Sequence, residues 1–109
     1  MLKIHSSPVS PFGARVVIAA RAKGIQLEDL GLPPEGIHSA EFRQINPVGK
    51  VPVLVLEDGT LLPESETILR YLEDRFPHPA LLPSAAEDRA RVNTLIRVMD
   101  NYVMAPVIR

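Results

Sequence analysis

The pattern of apolar and polar residues predicts a strand, a helix and a second strand in the first third of the chain. Residues 2–5 alternate apolar with polar side chains, which is typical of a short strand. Residues 12–22 place apolar side chains on one helical face, with Ser10 at the N-cap position and Gly24 where a helix C-terminus favours a positive φ. Residues 25–30 indicate a second strand. Because a helix connects the two strands, this order predicts a βαβ unit.

The next periodic segment predicts a β-hairpin. Residues 51–56 form an apolar run of strand length, rich in β-branched side chains, which suits an inner strand. Asp58 and Gly59 are a two-residue hairpin signal that requires a positive φ at both positions. The two strands are therefore expected near residues 53–56 and 60–62.

Helical patterns stand on both sides of the hairpin. A short helix is expected over residues 39–45, with Ser39 as its cap. After the hairpin, an amphipathic helix is predicted from about residue 66 to residue 76. Its apolar side chains, which recur at helical spacing, are Ile68, Leu69, Leu72 and Phe76.

A proline-rich segment after this helix marks the clearest boundary in the chain. We expect a first domain over residues 1–77, a linker over 78–84 and a final helix within 85–109 that is capped by Ser84 and runs to about residue 104. A lone amphipathic helix must bury its apolar stripe, so the sequence predicts self-association or poor solubility. The residues of this stripe are Leu95, Ile96, Met99, Val103, Val107 and Ile108.

Composition and charge place the chain among globular proteins and exclude several kinds of site. Its 109 residues suffice for one domain with a core, and a net charge of −1 gives no basic excess for nucleic acid or anionic membrane. No apolar run approaches the ~20 residues that span a bilayer, and the first residues lack a signal peptide's apolar core, so we expect a cytoplasmic protein. The absence of cysteine excludes disulfides, thiolate metal sites and dithiol redox chemistry. The histidines His5, His38 and His78 are too scattered for a metal site, so no metal is expected.

Pro52 is the unusual residue of the predicted hairpin, because proline donates no backbone hydrogen bond and belongs at the start or edge of a strand. A cis Val51–Pro52 bond would leave the backbone N–H and C=O of Val51 free to pair with an extended, peptide-like ligand. A trans bond would make Pro52 a strand edge only, and base rates favour it, since about 5–6% of X–Pro bonds are cis. The pattern alone leaves both alternatives open.

The order of elements and two motifs resemble the glutathione transferase superfamily. The βαβ unit followed by ββα, with a proline opening the third strand, is similar to the thioredoxin-like α/β fold. The block Asn46-Pro47-Val48-Gly49-Lys50-Val51-Pro52 and the pair Glu64-Ser65 are similar to the family's motifs. The likeness covers residues 1–77, the linker and the first helix beyond it. It implies a cis Pro52, with the backbone of Val51 paired to the cysteinyl part of glutathione.

The Glu64-Ser65 pair has a rationale from the residues as well as from the family. At a helix N-terminus, free N–H groups and the helix dipole attract a carboxylate, to which a serine hydroxyl can also donate. A glutamate beside it can accept from an ammonium group. The γ-glutamyl end of glutathione offers both groups, so the resemblance implies a glutathione contact here. Without the motif, Ser65 is more simply an N-cap and Glu64 a surface charge that complements the dipole.

The resemblance implies that Ser10 is the catalytic residue. The family's serine classes place the active serine five residues before an arginine of the first helix. Ser10 and Arg15 have that spacing. The segment is most similar to the tau class, and to the omega class with serine in place of its cysteine. The hydroxyl would donate to the sulfur of glutathione and favour the thiolate, which is the nucleophile. Ser7 and then Ser6 are the alternates. A plain N-cap role for Ser10 is also sufficient by itself.

Further contacts and partners follow from the same resemblance. Lys50 and His38 would lie near the glycyl carboxylate of glutathione, the co-substrate. The partners would be a small electrophile and a second copy of the chain, in a detoxifying homodimer. Family members are longer and have an all-helical second domain, of which this chain has only the first helix. We therefore expect a glutathione S-transferase, or a fragment of one. The alternative is a transferase-like module that binds glutathione or a protein without catalysis.

Overall fold

The computed structural model describes residues 1–105. Its elements in chain order are β1 (Lys3–His5), α1 (Pro11–Ala22), β2 (Glu28–Asp29), α2 (Ala40–Ile45), β3 (Val53–Val55), β4 (Leu61–Pro63), α3 (Ser65–Arg75), α4 (Ala86–Val98) and a π-helical segment (Met99–Met104). They form two compact units, Met1–Pro79 and a second unit that begins at Ala80. The βαβ unit, the hairpin and the helix after it stand in the predicted order, so the thioredoxin-like α/β fold is confirmed.

The strands form one mixed sheet in the order β2-β1-β3-β4 within the described residues. β2 is parallel to β1, with Asp29 beside Ile4, whereas β3 is antiparallel to both β1 and β4. In this register His5, Val53 and Pro63 form one row across three strands. The ends of β1 and β2 and the start of β3 therefore meet at one edge of the sheet, together with the end of β4.

One face of the sheet carries the core of the first unit. Helices α1 and α3 contact each other there and cover the apolar side chains of β1 and β3. The buried residues of this cluster are Leu2, Ile4, Val16, Leu54, Ile68 and Leu72. Because side chains alternate along a strand, His5 points to the opposite face, where its ring meets the buried Phe42 of α2. Helix α2 thus lies on the face away from α1 and α3.

The end of α1 explains why β2 is shorter than the predicted strand. Gly24 has a φ of 70° and donates its N–H to the carbonyl of Arg21, while the N–H of Ile25 donates to the carbonyl of Ala20 at 2.8 Å. Together these bonds form a Schellman motif, which closes the last turn of a helix. The backbone of Ile25 belongs to this cap, and pairing with β1 begins only at Glu28–Asp29.

The hairpin turn differs from the prediction. Gly59 has a φ of 89°, but Asp58 does not have a positive φ. The backbone of Leu56 donates to the carbonyl of Thr60 and accepts from the N–H of Gly59, each at 2.9 Å, which leaves residues 57–59 as the loop. The expectation of a positive φ at both positions was therefore wrong. In a loop of this length a single glycine takes the left-handed conformation.

Helix α4 begins one residue later than predicted. Its N-cap is Ala85, without a side-chain hydrogen bond, so the predicted cap Ser84 was wrong. The N–H of Arg89 donates to the carbonyl of Ala85, and the Nε of Arg89 donates to the carbonyl of Pro83 at 2.5 Å. Arg89 thus holds the chain before the helix in place of a capping hydroxyl.

Helix α4 continues at its C-terminal end as a π-helix. The segment Met99–Met104 follows α4 directly, so the helical stretch reaches the predicted end near residue 104. Val107 and Ile108 of the predicted stripe lie outside the described residues. Among residues 1–105, no helix is both long enough and apolar enough to cross a membrane.

Candidate functional site

The sheet edge that carries the row His5–Val53–Pro63 brings together the segments with candidate site residues. Ser6 follows the first residue of the row, Pro52 precedes the second and Glu64 follows the third. Since neighbouring strands lie about 4.8 Å apart, these three positions fall on one short line. The loop that leaves β2 starts from the same edge. Segments distant in the sequence thus converge on one edge.

The three candidate serines after β1 occupy different environments. Ser6 is buried against α1, and a Cβ added at Gly13 would lie only 2.1 Å from the Ser6 Oγ. Ser7 is half-buried; its carbonyl accepts from the N–H of Ser10 at 3.1 Å, and its Oγ accepts from the N–H of Val9 at 3.4 Å. Ser6 therefore has a packing role, whereas Ser7 and Ser10 stand on the loop itself.

Ser10 caps helix α1 with its hydroxyl. The Ser10 Oγ accepts a hydrogen bond from the N–H of Gly13 at 3.1 Å, and Pro11 follows as the first helical residue. A hydroxyl has two acceptor lone pairs and one donor hydrogen. The capping bond occupies one lone pair, so the hydrogen remains available to a ligand atom at the helix N-terminus.

The segment before β3 is held by a residue that the sequence analysis did not single out, Asn46. Its side chain is buried, donates to the carbonyl of Lys50 at 2.8 Å and accepts from the N–H of Val48 at 3.1 Å. This network closes the turn immediately before Val51–Pro52, whose peptide bond is cis. The signal was present in the sequence, because asparagine before proline is typical of such side-chain-closed turns.

The start of α3 differs from the simple N-cap interpretation. Glu64, not Ser65, is the N-cap residue, and no side chain makes a capping hydrogen bond there. Ser65 is buried as the first helical residue. Glu64 has a φ of 76°, a strained value for a residue other than glycine that costs about 1–3 kcal/mol. The first turn of α3, which follows Pro63 of the row directly, therefore has no capping side chain for its N–H groups.

His38 and Lys50 are both exposed, on the loop after β2 and on the turn before β3. The two segments touch, because a Cβ at Gly49 would lie 3.2 Å from the carbonyl oxygen of Ile37. Two positively chargeable side chains thus stand on adjoining segments, beside the edge that carries Val51.

A groove of the first unit lies away from this sheet edge. Its volume is about 400 Å³, and it runs between α1 and the segment before β2, near the start of β1. Met1, Val17, Ile25 and Leu27 are among its lining residues, and none of the candidate site residues lines it. Within residues 1–105 no group of three or more histidine, aspartate and glutamate side chains could hold a metal ion.

Several known proteins are similar to this chain in sequence. The family model for the glutathione S-transferase N-terminal domain matches residues 4–80. A glutathione S-transferase of Pseudomonas putida is 34% identical over 106 residues, covering 97% of this chain and 47% of that protein. A maleylacetoacetate isomerase of Pseudomonas aeruginosa is 40% identical over 96 residues, covering 83% and 44%.

A solved structure agrees with these matches. Human glutathione transferase theta-2, in complex with glutathione and an unknown ligand, superposes with a TM-score of 0.82 at 33% identity, over 93% of this chain and 42% of that one. The chain spans about half the length of the curated relatives it matches. The motifs, the fold and these matches agree, and the chain belongs to the glutathione S-transferase superfamily.

Proposed function

We propose that this chain binds glutathione along the sheet edge that begins at Pro52. The cysteinyl part of the tripeptide pairs with the backbone of Val51, as an added strand would. Its γ-glutamyl carboxylate is bound by the N–H groups and hydroxyl at Ser65, and its ammonium by Glu64. The observation that carries this proposal is the first turn of α3, which lacks a capping side chain and starts beside Pro63 in the row across the sheet.

The proposed chemistry is activation of the glutathione thiol by Ser10. With one lone pair engaged by the N–H of Gly13, the hydroxyl donates its hydrogen to the sulfur and stabilises the thiolate. The N-terminus of α1 contributes favourable dipole potential at the same point. The thiolate then attacks a small electrophile, so the protein acts as a glutathione S-transferase.

The remaining partners belong to the same proposal. Lys50 and His38 bind the glycyl carboxylate from their adjoining segments, and no metal takes part. The chain works as a homodimer in the cytoplasm, where conjugation of electrophiles serves detoxification. The domain plan has a glutathione-binding domain over residues 1–77, a linker over 78–84 and the first helix of an all-helical domain over 85–109.

The test is the ultraviolet thiolate band of glutathione on the purified protein, followed from mildly acidic to mildly alkaline pH. The wild type should lower the pKa of the bound thiol. Ser10→Ala should raise that pKa again by about 1–2 units, because a hydrogen bond to a charged acceptor contributes that much. Ser7→Ala is the matched control and should leave the band unchanged. A thiol pKa that follows Ser7 instead of Ser10 would reassign the catalytic serine.

A second candidate function is glutathione binding without catalysis. The observation in its favour is that the bond between the Ser10 Oγ and the N–H of Gly13 is a complete N-cap by itself. In that case glutathione binds saturably, Ser65→Ala weakens binding about 3- to 10-fold, and the bound thiol keeps its ordinary pKa. Absence of saturable binding by the wild type would reject both functions.

A further inference from the structure

We infer that His5 is a positioning residue that holds the loop carrying His38 in place for the glycyl end of glutathione. The inference rests on the proposed glutathione site. His5 is the last residue of β1 and lies opposite Val53, one residue beyond Pro52. It therefore belongs to the sheet edge of the candidate site, although its side chain lies on the α2 face.

The first contact of His5 fixes the start of the loop. Its Nδ1 is 3.1 Å from the carbonyl oxygen of Gly31. The N–H of Gly31 donates to the Oδ1 of Asp29 at 2.8 Å, and the N–H of Leu30 donates to the carbonyl of Ile4 at 2.7 Å. The imidazole is thus the only side-chain group in the described structure that bonds the carbonyl of Gly31, from which the loop departs.

The second contact of His5 fixes the end of the same segment. Its ring meets the ring of Phe42 edge to face, with centroids 6.2 Å apart, and Phe42 is fully buried. The N–H of Phe42 donates to the Oγ of Ser39, the N-cap of α2. One side chain of β1 therefore touches the segment at both Gly31 and Phe42, on either side of His38.

The segment between these contacts leads to the other half of the glycyl site. The carbonyl of Ile37 lies against Gly49, on the turn that Asn46 closes before Val51. A loop released at Gly31 would therefore lose its fixed distance from Lys50. It would leave β3 and the start of α3 where they are, because those are held by sheet pairing and by the core.

The bond to Gly31 also fixes the tautomer of His5. A carbonyl oxygen only accepts, so the hydrogen of the neutral imidazole must be on Nδ1, whereas an unconstrained imidazole in water favours Nε2–H. Nitrogen-15 spectra of the ring should show the Nδ1–H tautomer for His5 but not for the exposed His78. An Nε2–H tautomer at His5 would overturn the inference without any ligand.

Two substitutions separate the bond from the packing. His5→Phe keeps an aromatic ring against Phe42 and removes the donor. His5→Asn keeps a donor, because its amide nitrogen is as many bonds from Cα as Nδ1 is, and removes the ring. The binding probes are glutathione and γ-glutamylcysteine, which lacks the glycyl residue. His78→Phe is the control for the loss of a histidine.

His5→Phe should weaken glutathione binding about 3- to 10-fold, as expected for one lost hydrogen bond, and leave γ-glutamylcysteine binding unchanged. His5→Asn should bind glutathione more tightly than His5→Phe does and so restore most of the affinity difference between glutathione and γ-glutamylcysteine. The pKa of the bound thiol should not change in either variant. Equal weakening toward both probes would assign His5 a general structural role and overturn the inference. If His5→Phe fails to fold, the nitrogen-15 spectrum of His5 and the binding of the two probes by His5→Asn still test the inference. A wild type that binds neither probe rejects the proposed function itself, and the inference with it.

Discussion

At the scale of single residues, Gly13 shows how tightly α1 packs on the end of β1. A Cβ at this position would lie 2.1 Å from the Oγ of Ser6 and 3.3 Å from its Cβ. Alanine normally stabilises a helix interior by about 1 kcal/mol relative to glycine. Here the clash should dominate, and Gly13→Ala should lower the free energy of unfolding by about 1–3 kcal/mol. Urea denaturation of the two proteins measures the difference.

The control for this prediction is a double-mutant cycle with Ser6→Ala. Removing the hydroxyl leaves the alanine at position 13 facing the Ser6 Cβ at 3.3 Å, a tight but tolerable contact, and the Ser10 Cβ at 3.6 Å. The double variant should therefore be more stable than the sum of the single changes predicts, with a coupling energy of about 0.5–3 kcal/mol. Additive effects, or a Gly13→Ala protein more stable than the wild type, would contradict the packing argument.

The same scale shows which site residues a sequence can reveal. Ser10 was predicted as the cap of α1 because capping depends on a hydroxyl and the few residues after it. Glu64 was not predicted as the cap of α3, because its positive φ is imposed by the chain around it and glycine is the residue type that signals such a conformation. Asn46 carried a recognisable turn signal but no signal of its buried bond to Lys50.

At the scale of elements, a buried lysine joins the ends of α1 and α3. The Nζ of Lys23 lies 2.7 Å from the carboxylate of Glu73 and donates to the carbonyls of Phe76 and Pro79 at 2.6 and 2.8 Å. Its side chain is 1% exposed, and these acceptors use all three ammonium hydrogens. Local sequence patterns could not predict these contacts, because all three acceptors lie at least 50 residues after Lys23 in the sequence.

Replacing that lysine should destabilise the first unit strongly. Lys23→Met removes the ammonium that contacts a buried carboxylate and two carbonyls, which should lower the free energy of unfolding by about 3–5 kcal/mol. Arg21→Met changes an exposed charge in the last turn of the same helix and should stay within about 0.5 kcal/mol of the wild type. Denaturant unfolding at neutral pH measures both; equal effects of the two changes would contradict the role of the buried ammonium.

A second contact between elements joins the hairpin loop to α3 and should make the stability of the first unit depend on pH. The guanidinium of Arg75 donates to both carboxylate oxygens of Glu57, at 2.9 and 2.7 Å. These bonds lower the pKa of Glu57 from 4.5 to about 2. Because the folded-state pKa is depressed, the contribution to stability is fully present above pH 4.5 and is lost as the pH falls through about 2.

The direct measurement for Glu57 is a carbon-13 titration of its side-chain carboxyl. The midpoint should lie near 2 in the wild type and return toward 4.5 in Arg75→Gln. The stability difference between wild type and Glu57→Gln should be constant above pH 4.5 and shrink on acidification toward pH 2. High salt should reduce it, because both side chains are partly exposed. A wild-type midpoint at 4.5 would show that the pair does not persist in solution.

At the scale of the whole molecule, the predicted order of elements was correct because each element has its own local pattern. The alternation of residues 2–5, the caps of α1 and the apolar run of β3 each act over a few residues, and the rule for βαβ connections supplies the topology. The meeting of Ser6, Pro52 and Glu64 at one edge depends on strand register. Only the resemblance to a known family anticipated it.

The exposed apolar stripe of the second unit leads to the prediction that the chain self-associates. Of the predicted stripe, Leu95 is 70% exposed, and Met99 and Val103 are exposed as well. Val98 and Tyr102, which is 75% exposed, extend this stripe at helical spacing. These side chains repeat every three to four residues, as expected of a helical face that packs on another protein surface. Sedimentation velocity should therefore show association that increases with protein concentration.

The matched test of this stripe compares Leu95→Glu with Thr94→Glu. Both variants add the same charge to exposed positions of α4, but Thr94 lies one residue away from the stripe and bonds the carbonyl of Ala90. If the stripe forms the contact, Leu95→Glu should weaken association by about tenfold or more, since a charge buried without a partner is costly, whereas Thr94→Glu should change it little. A chain that is monomeric at all concentrations would reject the proposed homodimer, and equal effects of both variants would move the contact off this stripe. Glutathione binding should survive in both variants, because the proposed site lies entirely within Met1–Pro79.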